Sequence, residues 1–434
     1  MSMKKRFTNI LRLVLIALLL LPGLKNLPAQ NLSTSPYSRF GIGDLVNRST
    51  GRSQAMGGLS CGLRSGTNLN LQNPASLSGI DTLNFVFEVG GFEKITHFQT
   101  TDLQKTVNNL GFSYLALGFP VTKWWKASLG ILPLSNVAYS MTATESNPVM
   151  GTINYNFQGS GGVSQFFISS SISPIPYLSL GATFSYLFGP ISHSRSLVIP
   201  ADSLYFSTRS VQAAIIGDVN LSYGAQVNIP LNKDYFVTLG GTFQGTSNLK
   251  AQSRTTLISY GTGLTDTLVY SENPNNSVIL PMGWASGFTF GKKNKFTAGF
   301  DYRTQNWAES EFLGIKDSMA NSHDYIVGLE FIPNAFSLTR PLQRIRYRAG
   351  FRYSESYLQL RGSQLTELGI TFGAGFPILD RTQRGTPPTR STLNIILELG
   401  KRGTVKNDLI RETFGSLTLQ LSLHDYWFIK RKYD

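Results

Sequence analysis

The sequence contains little of what soluble enzymes and helical membrane proteins are built from. Only one of its 434 residues, Cys61, is a cysteine, so the chain cannot form an intrachain disulfide. The four histidines, His97, His193, His323 and His424, do not have the spacing of metal ligands, and we expect neither a metal nor a cofactor. Charged residues make up 15% of the chain, against about 25% in a typical soluble domain. A mean hydropathy of −0.05 argues against a bundle of transmembrane helices.

Long apolar runs are also missing beyond the N-terminus, where none approaches the roughly 20 residues of a membrane-spanning helix. The N-terminus itself is typical of a secretory signal peptide. Lys4, Lys5 and Arg6 precede the apolar run 11–21, and Pro28-Ala29-Gln30 offers a cleavage site without a lipoprotein cysteine. An exported chain without a spanning helix is either soluble or a β-barrel. Export also argues against a nucleic-acid partner, although the formal net charge is +14.

Alternation of apolar and polar residues dominates from Asn84 onward. The clearest case is 417–423, which has leucine at every second position and polar residues between, followed by Tyr426-Trp427-Phe428. About fourteen such segments predict an all-β fold, a transmembrane antiparallel β-barrel with aromatic residues at the membrane boundary. We expect the last strand to close the barrel by pairing with the one at 85–89.

The connections between these segments fall into two length classes, as in outer-membrane barrels with short periplasmic turns and long outer loops. Short connections are predicted at 120–123, 174–177, 230–234 and 292–295, and long ones near 93–109, 190–204, 245–277, 303–322 and 401–415.

Residues 30–80 differ from the rest, since they are rich in Ser, Gly and Asn and lack sustained alternation. The motif Asn73-Pro74-Ala75 near their end resembles the FadL/TodX family of outer-membrane transporters of hydrophobic compounds. Several further stretches resemble the Bacteroidota branch of that family: 38–45, 55–58, 346–353, 369–373, 398–404 and 427–432.

The resemblance implies a fourteen-stranded barrel in the cell outer membrane of a Gram-negative bacterium, crossed many times, with the N-terminal segment as a plug in the lumen. The domains would then be a signal peptide at 1–29, a plug at 30–80 and a barrel at 81–434. The family also includes relatives that act as non-transporting partners of secretion machinery.

Three arginines form the most suggestive polar set. Arg346, Arg348 and Arg352 alternate with apolar residues, and an arginine on the lipid face near the midplane costs about 2–4 kcal/mol, so we expect them in the lumen. Glu330, on the preceding strand, could pair with them. They would either bind the anionic headgroup of a ligand or form salt bridges that fix the plug, and the second interpretation is favoured because the polar backbone of a plug needs partners.

An apolar ligand also needs an apolar lining. Residues expected on the inward face, which suit either a hydrophobic conduit or packing against a plug, are Val86, Leu115, Leu117, Phe119, Leu132, Leu187, Phe236 and Ile396.

Catalysis is not expected. Residues 58–62 match G-x-S-x-G around Ser60, but no strand precedes them as a nucleophile elbow requires, and Cys61 is expected to be a packed thiol. His424 shares a strand face with Ser422, and we favour a place in the periplasmic girdle for it.

Two functions remain open from the sequence. The first is passive uptake of small hydrophobic or amphipathic ligands, and the second is a non-transporting scaffold in an outer-membrane assembly or secretion complex. Outer-membrane lipid is a partner in both. A continuous apolar tunnel past the plug would distinguish the first from the second.

Overall fold

The computed structural model describes residues 35–200, 205–261, 263–315, 319–337, 339–378 and 390–426. The predicted signal peptide, the start of the 30–80 segment and the aromatic ending Trp427-Phe428 lie outside the described residues. In the part of the chain that is described, no helix is long and apolar enough to cross a membrane.

The described residues form nineteen strands in one sheet, in which the paired neighbours are antiparallel. The strands are β1 (Asp44–Leu45), β2 (Asn84–Gln99), β3 (Gln104–Pro120), β4 (Trp125–Pro133), β5 (Ser135–Asn147), β6 (Gly151–Gly161), β7 (Ser164–Ile175), β8 (Leu178–Val198), β9 (Ser207–Pro230), β10 (Tyr235–Gln244), β11 (Ser247–Gly261), β12 (Leu264–Leu280), β13 (Gly283–Lys292), β14 (Phe296–Gln305), β15 (Ser322–Phe331), β16 (Arg346–Leu360), β17 (Ser363–Ile378), β18 (Ser391–Arg402) and β19 (Arg411–Tyr426).

Fourteen strands build the wall, because four pairs of consecutive strands continue each other. β4 runs into β5 across Leu134, β6 into β7 across Gly162-Val163, β10 into β11 across 245–246, and β12 into β13 across 281–282. The remaining short strand, β1, belongs to the N-terminal segment. The predicted strand count and fold class are confirmed.

The barrel closes where the sequence predicts. β19 pairs with β2 along its whole length, with Leu421 opposite Val89 and Leu423 opposite Phe87. Closure removes the open edges that a sheet of this length would otherwise present.

Alternation along each wall strand separates an apolar outer face from a polar inner face. In β19, Leu417 and Leu419 are 40% and 38% exposed, whereas Gln420 and Ser422 between the leucines are 1% and 0% exposed. Burial of polar side chains inside a barrel requires something in the lumen that contacts them.

The two ends of the barrel differ from the predicted connections. We call the end where β2 begins the inner end, and the opposite end the outer end. The predicted long connections at 93–109 and 245–277 are wrong, because these residues extend β2, β3, β11 and β12 into long hairpins. The β-branched residues Thr255, Thr256 and Ile258 favour strand. At the inner end, a long connection for which no length was predicted joins β15 to β16.

The described part of the N-terminal segment, 35–83, contains β1 and three short helical turns. They are 3₁₀ turns at Pro36–Arg39 and Pro74–Gly79 and one α-helical turn at Gly51–Gln54. The side chains of Ser35 and Asn73 accept hydrogen bonds at the starts of the two 3₁₀ turns, from the N–H groups of Tyr37 and Ala75.

This segment contacts wall strands on all sides. The Ser35 hydroxyl donates to Glu412 of β19 (2.5 Å), the Gly51 N–H to the Tyr114 hydroxyl of β3 (2.9 Å), and Asn73 to the Ala225 carbonyl of β9 (3.4 Å). One segment that bonds to strands around the whole ring lies within the lumen.

Candidate functional site in the barrel lumen

A buried cluster of charges joins the N-terminal segment to the wall near the inner end. Glu330 of β15 stands opposite Arg348 of β16 in the ladder and accepts from its Nε at 2.7 Å. The same carboxylate accepts from Arg52 of the N-terminal segment at 2.6 and 3.1 Å. Arg348 also donates to Asn394 of β18 at 2.6 Å. One wall carboxylate therefore holds a guanidinium of the wall and one of the segment.

The other two predicted arginines also have protein partners. Arg352 donates to Glu367 (2.7 Å) and to Glu398 (2.8 Å) on the two following strands. Arg346 donates to Asn68 of the N-terminal segment at 3.4 Å. All three arginines point into the lumen, in the predicted register.

Arg348 shares Glu330 with Arg52 of the N-terminal segment, whereas Arg352 forms its salt bridges with carboxylates of the wall and Arg346 bonds to the amide of Asn68. The salt-bridge interpretation stays a prediction for the set. Removing one partner of a buried ion pair costs about 3–5 kcal/mol, because the other charge stays buried and unpaired. A role in binding a ligand headgroup remains a prediction for Arg346, Arg348, Arg352 and Glu330. Phe236 lies on the inward face of β10 at the inner end, and does not line the lumen chamber described below.

The Asn73-Pro74-Ala75 motif packs directly on the backbone of the wall. Asn73 caps its own turn through the Ala75 N–H and donates to the Cys61 carbonyl at 2.8 Å. Gly181 of β8 and Gly224 of β9 face the motif, and a Cβ at either position would overlap Ala75 or Asn73. The motif therefore holds the segment against two wall strands that lack side chains at the contact.

The G-x-S-x-G stretch is a structural turn. Asp301 of β14 accepts from the backbone N–H groups of Ser60 (2.6 Å) and Cys61 (2.8 Å), and Arg303 donates to the Ser60 hydroxyl at 2.9 Å. Ser60 thus bonds to a carboxylate and a guanidinium, and no histidine contacts it among the described residues. Burial raises the pKa of the Cys61 thiol, which keeps it protonated and unreactive.

Two sets of predicted orientations are wrong. Leu115, Leu117 and Phe119 point outward, while the smaller Ala116 and Gly118 face the N-terminal segment. His424 is 1% exposed on the inward face, not in an exposed girdle. Val86, Leu132, Leu187 and Ile396 are buried as predicted. The outward orientation of Leu115, Leu117 and Phe119 has a steric cause. A Cβ at Gly118 would overlap Leu69 of the N-terminal segment, so only small residues fit on the inward face of β3 there.

An apolar cluster closes the lumen toward the outer end. Tyr37 and Ile42 of the N-terminal segment pack against buried residues from β5, β8, β9, β11, β12, β16 and β17 and from the outer connections at 307–319 and 409. We call this set the outer cluster; its buried members include Val137, Tyr139, Ile191, Ile216, Leu249, Val278, Trp307, Phe312, Met319, Tyr357, Leu358, Leu365 and Leu409. The Tyr37 hydroxyl also donates to the Ile410 carbonyl at 2.6 Å.

A chamber of about 440 Å³ lies between the outer cluster and the turns at 51–80. Phe92, Leu132, Leu134, Phe167 and Leu187 form an apolar wall on one side. The chamber is also lined by ten ionisable side chains of balanced charge: Asp44, Arg48, Lys94, Arg303, Asp324, Arg352, Glu355, Glu367, Glu398 and Arg402. Such a lining suits an amphipathic occupant and does not form a continuous apolar tunnel.

The wall is open beside this chamber. β3 pairs with β4 only through 115–120, and its outer part pairs with β2 alone. β5 turns away from β3 and pairs with β6 and with β1, where Asp44 stands opposite Asn136. Within the described strands, β3 and β5 therefore share no ladder in the outer half of the wall. Asn109 and Asn136, on the two sides of this gap, both line the chamber.

Several lumen residues were not identifiable from the sequence. Arg402 of β18 pairs with Asp44 (2.6 Å) and lies 3.9 Å from Glu412, which fixes the start of the segment to the last two strands. Arg52 was also missed as an anchor of the segment. The only sequence clue to the wall residues of these sets is a charged residue at a strand position that faces the lumen.

A profile of the BamG family matches residues 9–434. The chain belongs to the BamG family. No curated protein matches the sequence.

Solved structures similar to this BamG-family barrel are hydrocarbon channels. The Pseudomonas putida toluene transporter TodX has a TM-score of 0.60 at 13% identity, covering 89% of this chain and 100% of the transporter. The Ralstonia pickettii toluene transporter TbuX has a TM-score of 0.55 at 13% identity, covering 87% and 98%. The CymD monoaromatic hydrocarbon channel has a TM-score of 0.55 at 10% identity, covering 89% and 99%. At these identities the likeness establishes the fold, in agreement with the predicted FadL/TodX resemblance, and leaves the Bacteroidota branch a prediction.

Proposed function

We propose that this BamG-family chain is a plugged outer-membrane barrel that serves as a non-conducting structural subunit of an outer-membrane assembly. The observation that carries the proposal is the outer cluster, which closes the lumen with apolar side chains from the wall, the outer connections and the N-terminal segment. A compound arriving from outside would have to break this packing. Buried apolar side chains contribute about 1.5–3 kcal/mol each, so the closure is costly to open.

The inner closure supports the same proposal. Residues 51–80 are held by the Arg52–Glu330–Arg348 cluster, by Asp301 and by the Asn73 contacts. A plug that moved aside to let a compound pass would leave these buried charges without partners, at several kcal/mol. The segment at 30–80 is therefore proposed to be a permanent plug, and the barrel at 81–434 the membrane anchor. No catalytic role is proposed, and the protein would lie in the outer membrane of a Gram-negative bacterium.

A second candidate function is passive uptake of small hydrophobic or amphipathic molecules. It is favoured by the wall gap between β3 and β5 and by the chamber that reaches it, since a molecule could move sideways between the chamber and the lipid. The toluene transporters share this fold, although their substrates are known only for those proteins.

Reconstitution of the full chain separates the two. Liposomes that contain the protein, empty liposomes and liposomes that contain a toluene transporter of the TodX type would be compared for uptake of radiolabelled toluene and a fluorescent fatty acid. We expect uptake equal to that of empty liposomes, and co-purification of the protein in fixed proportion with a larger barrel after mild extraction. Uptake above the empty control that falls when Asn136→Trp fills the gap would overturn the proposal in favour of the second function.

A further inference from the structure

The inner end carries a connection longer than the turns of ordinary outer-membrane barrels. Periplasmic turns are short, yet β15 and β16 are joined by a long connection, of which the structure describes residues 332–337 and 339–345. The Asn334 N–H donates to the Gln343 carbonyl at 2.8 Å, and a 3₁₀ turn covers Pro341–Arg344. Phe336 projects from it with 76% exposure and Leu342 with 68%.

The neighbouring turn adds positive charge to the same place. The turn between β13 and β14 reads Lys292-Lys293-Asn294-Lys295, and the loop contributes Arg340 and Arg344. The two connections are joined, because the Lys295 carbonyl accepts from the Ile332 N–H (2.7 Å) and the Lys295 Nζ donates to the Pro333 carbonyl (2.8 Å).

Few acidic residues lie near the lysines and arginines of these two connections. Residues 332–345 and 293–295 contain no Asp or Glu. Asp234 of the adjacent turn lies 3.8 Å from Lys292, and among the described residues none forms an ion pair with Lys293, Lys295 or Arg340. We call Lys293, Lys295, Arg340, Phe336 and Leu342 the inner ledge.

The inner ledge lies at the inner rim of the wall, beside aromatic side chains of its outer face. Glu330 and Arg348 point inward, so Phe331 and Tyr347, their neighbours along the strands, point outward to lipid. Lys295 Nζ lies 5.3 Å from the centre of the Phe331 ring, and the Tyr347 hydroxyl donates to the Leu342 carbonyl at 3.3 Å.

The loop is thus fastened to the aromatic side chains of the lipid face. Aromatic rings with adjacent basic residues are typical of the headgroup region of a bilayer. Lys293 and Lys295 donate to the backbone carbonyls of Lys233 and Pro333, and the salt bridges among the described residues give them no acidic partner. Exposed apolar side chains beside such cations fit the acyl boundary and the phosphates of lipid together.

We propose that the inner ledge binds anionic phospholipid of the adjoining leaflet. Lys293, Lys295 and Arg340 would bind the headgroup phosphates, while Phe336 and Leu342 insert between acyl chains. A soluble acidic protein would satisfy the cations but not explain why the loop is held against the lipid-facing rings. The inference is independent of whether the barrel conducts.

Native mass spectrometry of the full chain released from detergent tests the proposal. The protein would be titrated with phosphatidylglycerol or phosphatidylcholine, and the bound lipid compared between the parent and the triple variant Lys293→Gln, Lys295→Gln, Arg340→Gln. A basic residue near an anionic surface contributes a factor of about five in binding, so we expect a loss of phosphatidylglycerol binding of about 100-fold in the triple variant. The matched control is Lys105→Gln, Lys401→Gln, Lys406→Gln, which removes three exposed cations from the outer end and should leave binding unchanged.

Three outcomes would overturn the proposal. They are equal binding of the two lipids by the parent, equal loss in both triple variants, and displacement of the lipid by inorganic phosphate or a polyglutamate peptide at matched charge concentration. The variant Phe336→Ser, Leu342→Ser should bind both lipids more weakly and keep the preference for phosphatidylglycerol. Heat-modified gel mobility of each variant establishes that the barrel is folded.

Discussion

The outer and inner closures of the lumen differ in the contacts that dominate them. The larger apolar cluster lies at the outer end, beside the Arg402–Asp44 pair, whereas the inner closure combines two smaller apolar clusters with the buried charges around Glu330 and with glycines that let backbones approach. Apolar packing adapts to exchanges of similar volume, since dispersion and burial have little direction. Buried ion pairs fail when one partner is lost, and they define which strand the segment must face. The inner closure therefore determines where the N-terminal segment lies, and the outer closure contributes stability through packing.

Removing the shared carboxylate should have the largest effect. Glu330→Ala leaves Arg52 and Arg348 buried without their partner, and we expect the free energy of unfolding in vesicles to fall by about 3–5 kcal/mol. Urea titration followed by tryptophan fluorescence measures it. Glu272→Ala is the matched control, because its pair with Arg254 is exposed to solvent and should contribute little to stability. Equal effects of the two substitutions would mean that the inner closure is not charge-dependent.

The outer closure should respond to volume. Leu358 is 1% exposed within the outer cluster, and Leu358→Ala is expected to cost about 2–4 kcal/mol through the lost contacts and the cavity. Leu358→Met keeps the volume and should cost less than about 1.5 kcal/mol. If the two variants unfold at the same urea concentration, packing does not account for the closure. Greater liposome permeability of the alanine variant alone would link the cluster to the seal.

The sequence could predict which face of a strand each residue lies on, but not which residues contact one another. Alternation placed Leu417 and Arg348 correctly, because a strand has only two faces and one of them meets lipid. It failed for Leu115–Phe119, where every position is apolar or small and only Leu69 of the N-terminal segment decides which side must be small. The Arg52–Glu330 pair spans 278 residues, and nothing local marks either partner. The resemblance indicated a plug, but its anchors follow from the folded barrel alone.

A wall glycine tests the close approach in the inner closure. A Cβ at Gly350 of β16 would overlap the backbone of Met56 and Gly57, which cannot move as a flexible side chain would. Gly350→Ala is expected to lower the free energy of unfolding by about 1–3 kcal/mol, measured by urea titration. Gly245→Ala is the control, since no atom lies within 4 Å of its Cβ position. A Gly350→Ala variant as stable as the control would place the N-terminal segment farther from β16.

The smallest effect concerns the polar group in the outer closure. The Tyr37 hydroxyl donates to the Ile410 carbonyl and accepts from the Ile410 N–H (2.9 Å), so Tyr37→Phe should cost about 1–2 kcal/mol near pH 8. Burial raises the pKa of Tyr37 to about 12, whereas tyrosine in the unfolded chain ionises near pH 10. The unfolded state therefore releases this proton first, and the parent loses stability between about pH 10 and 12. The phenylalanine variant lacks the proton, so its stability deficit relative to the parent should narrow over that range. A stability deficit that stays constant with pH would mean that the Tyr37 hydroxyl is hydrated in the folded state. The outer closure would then depend on apolar contacts alone.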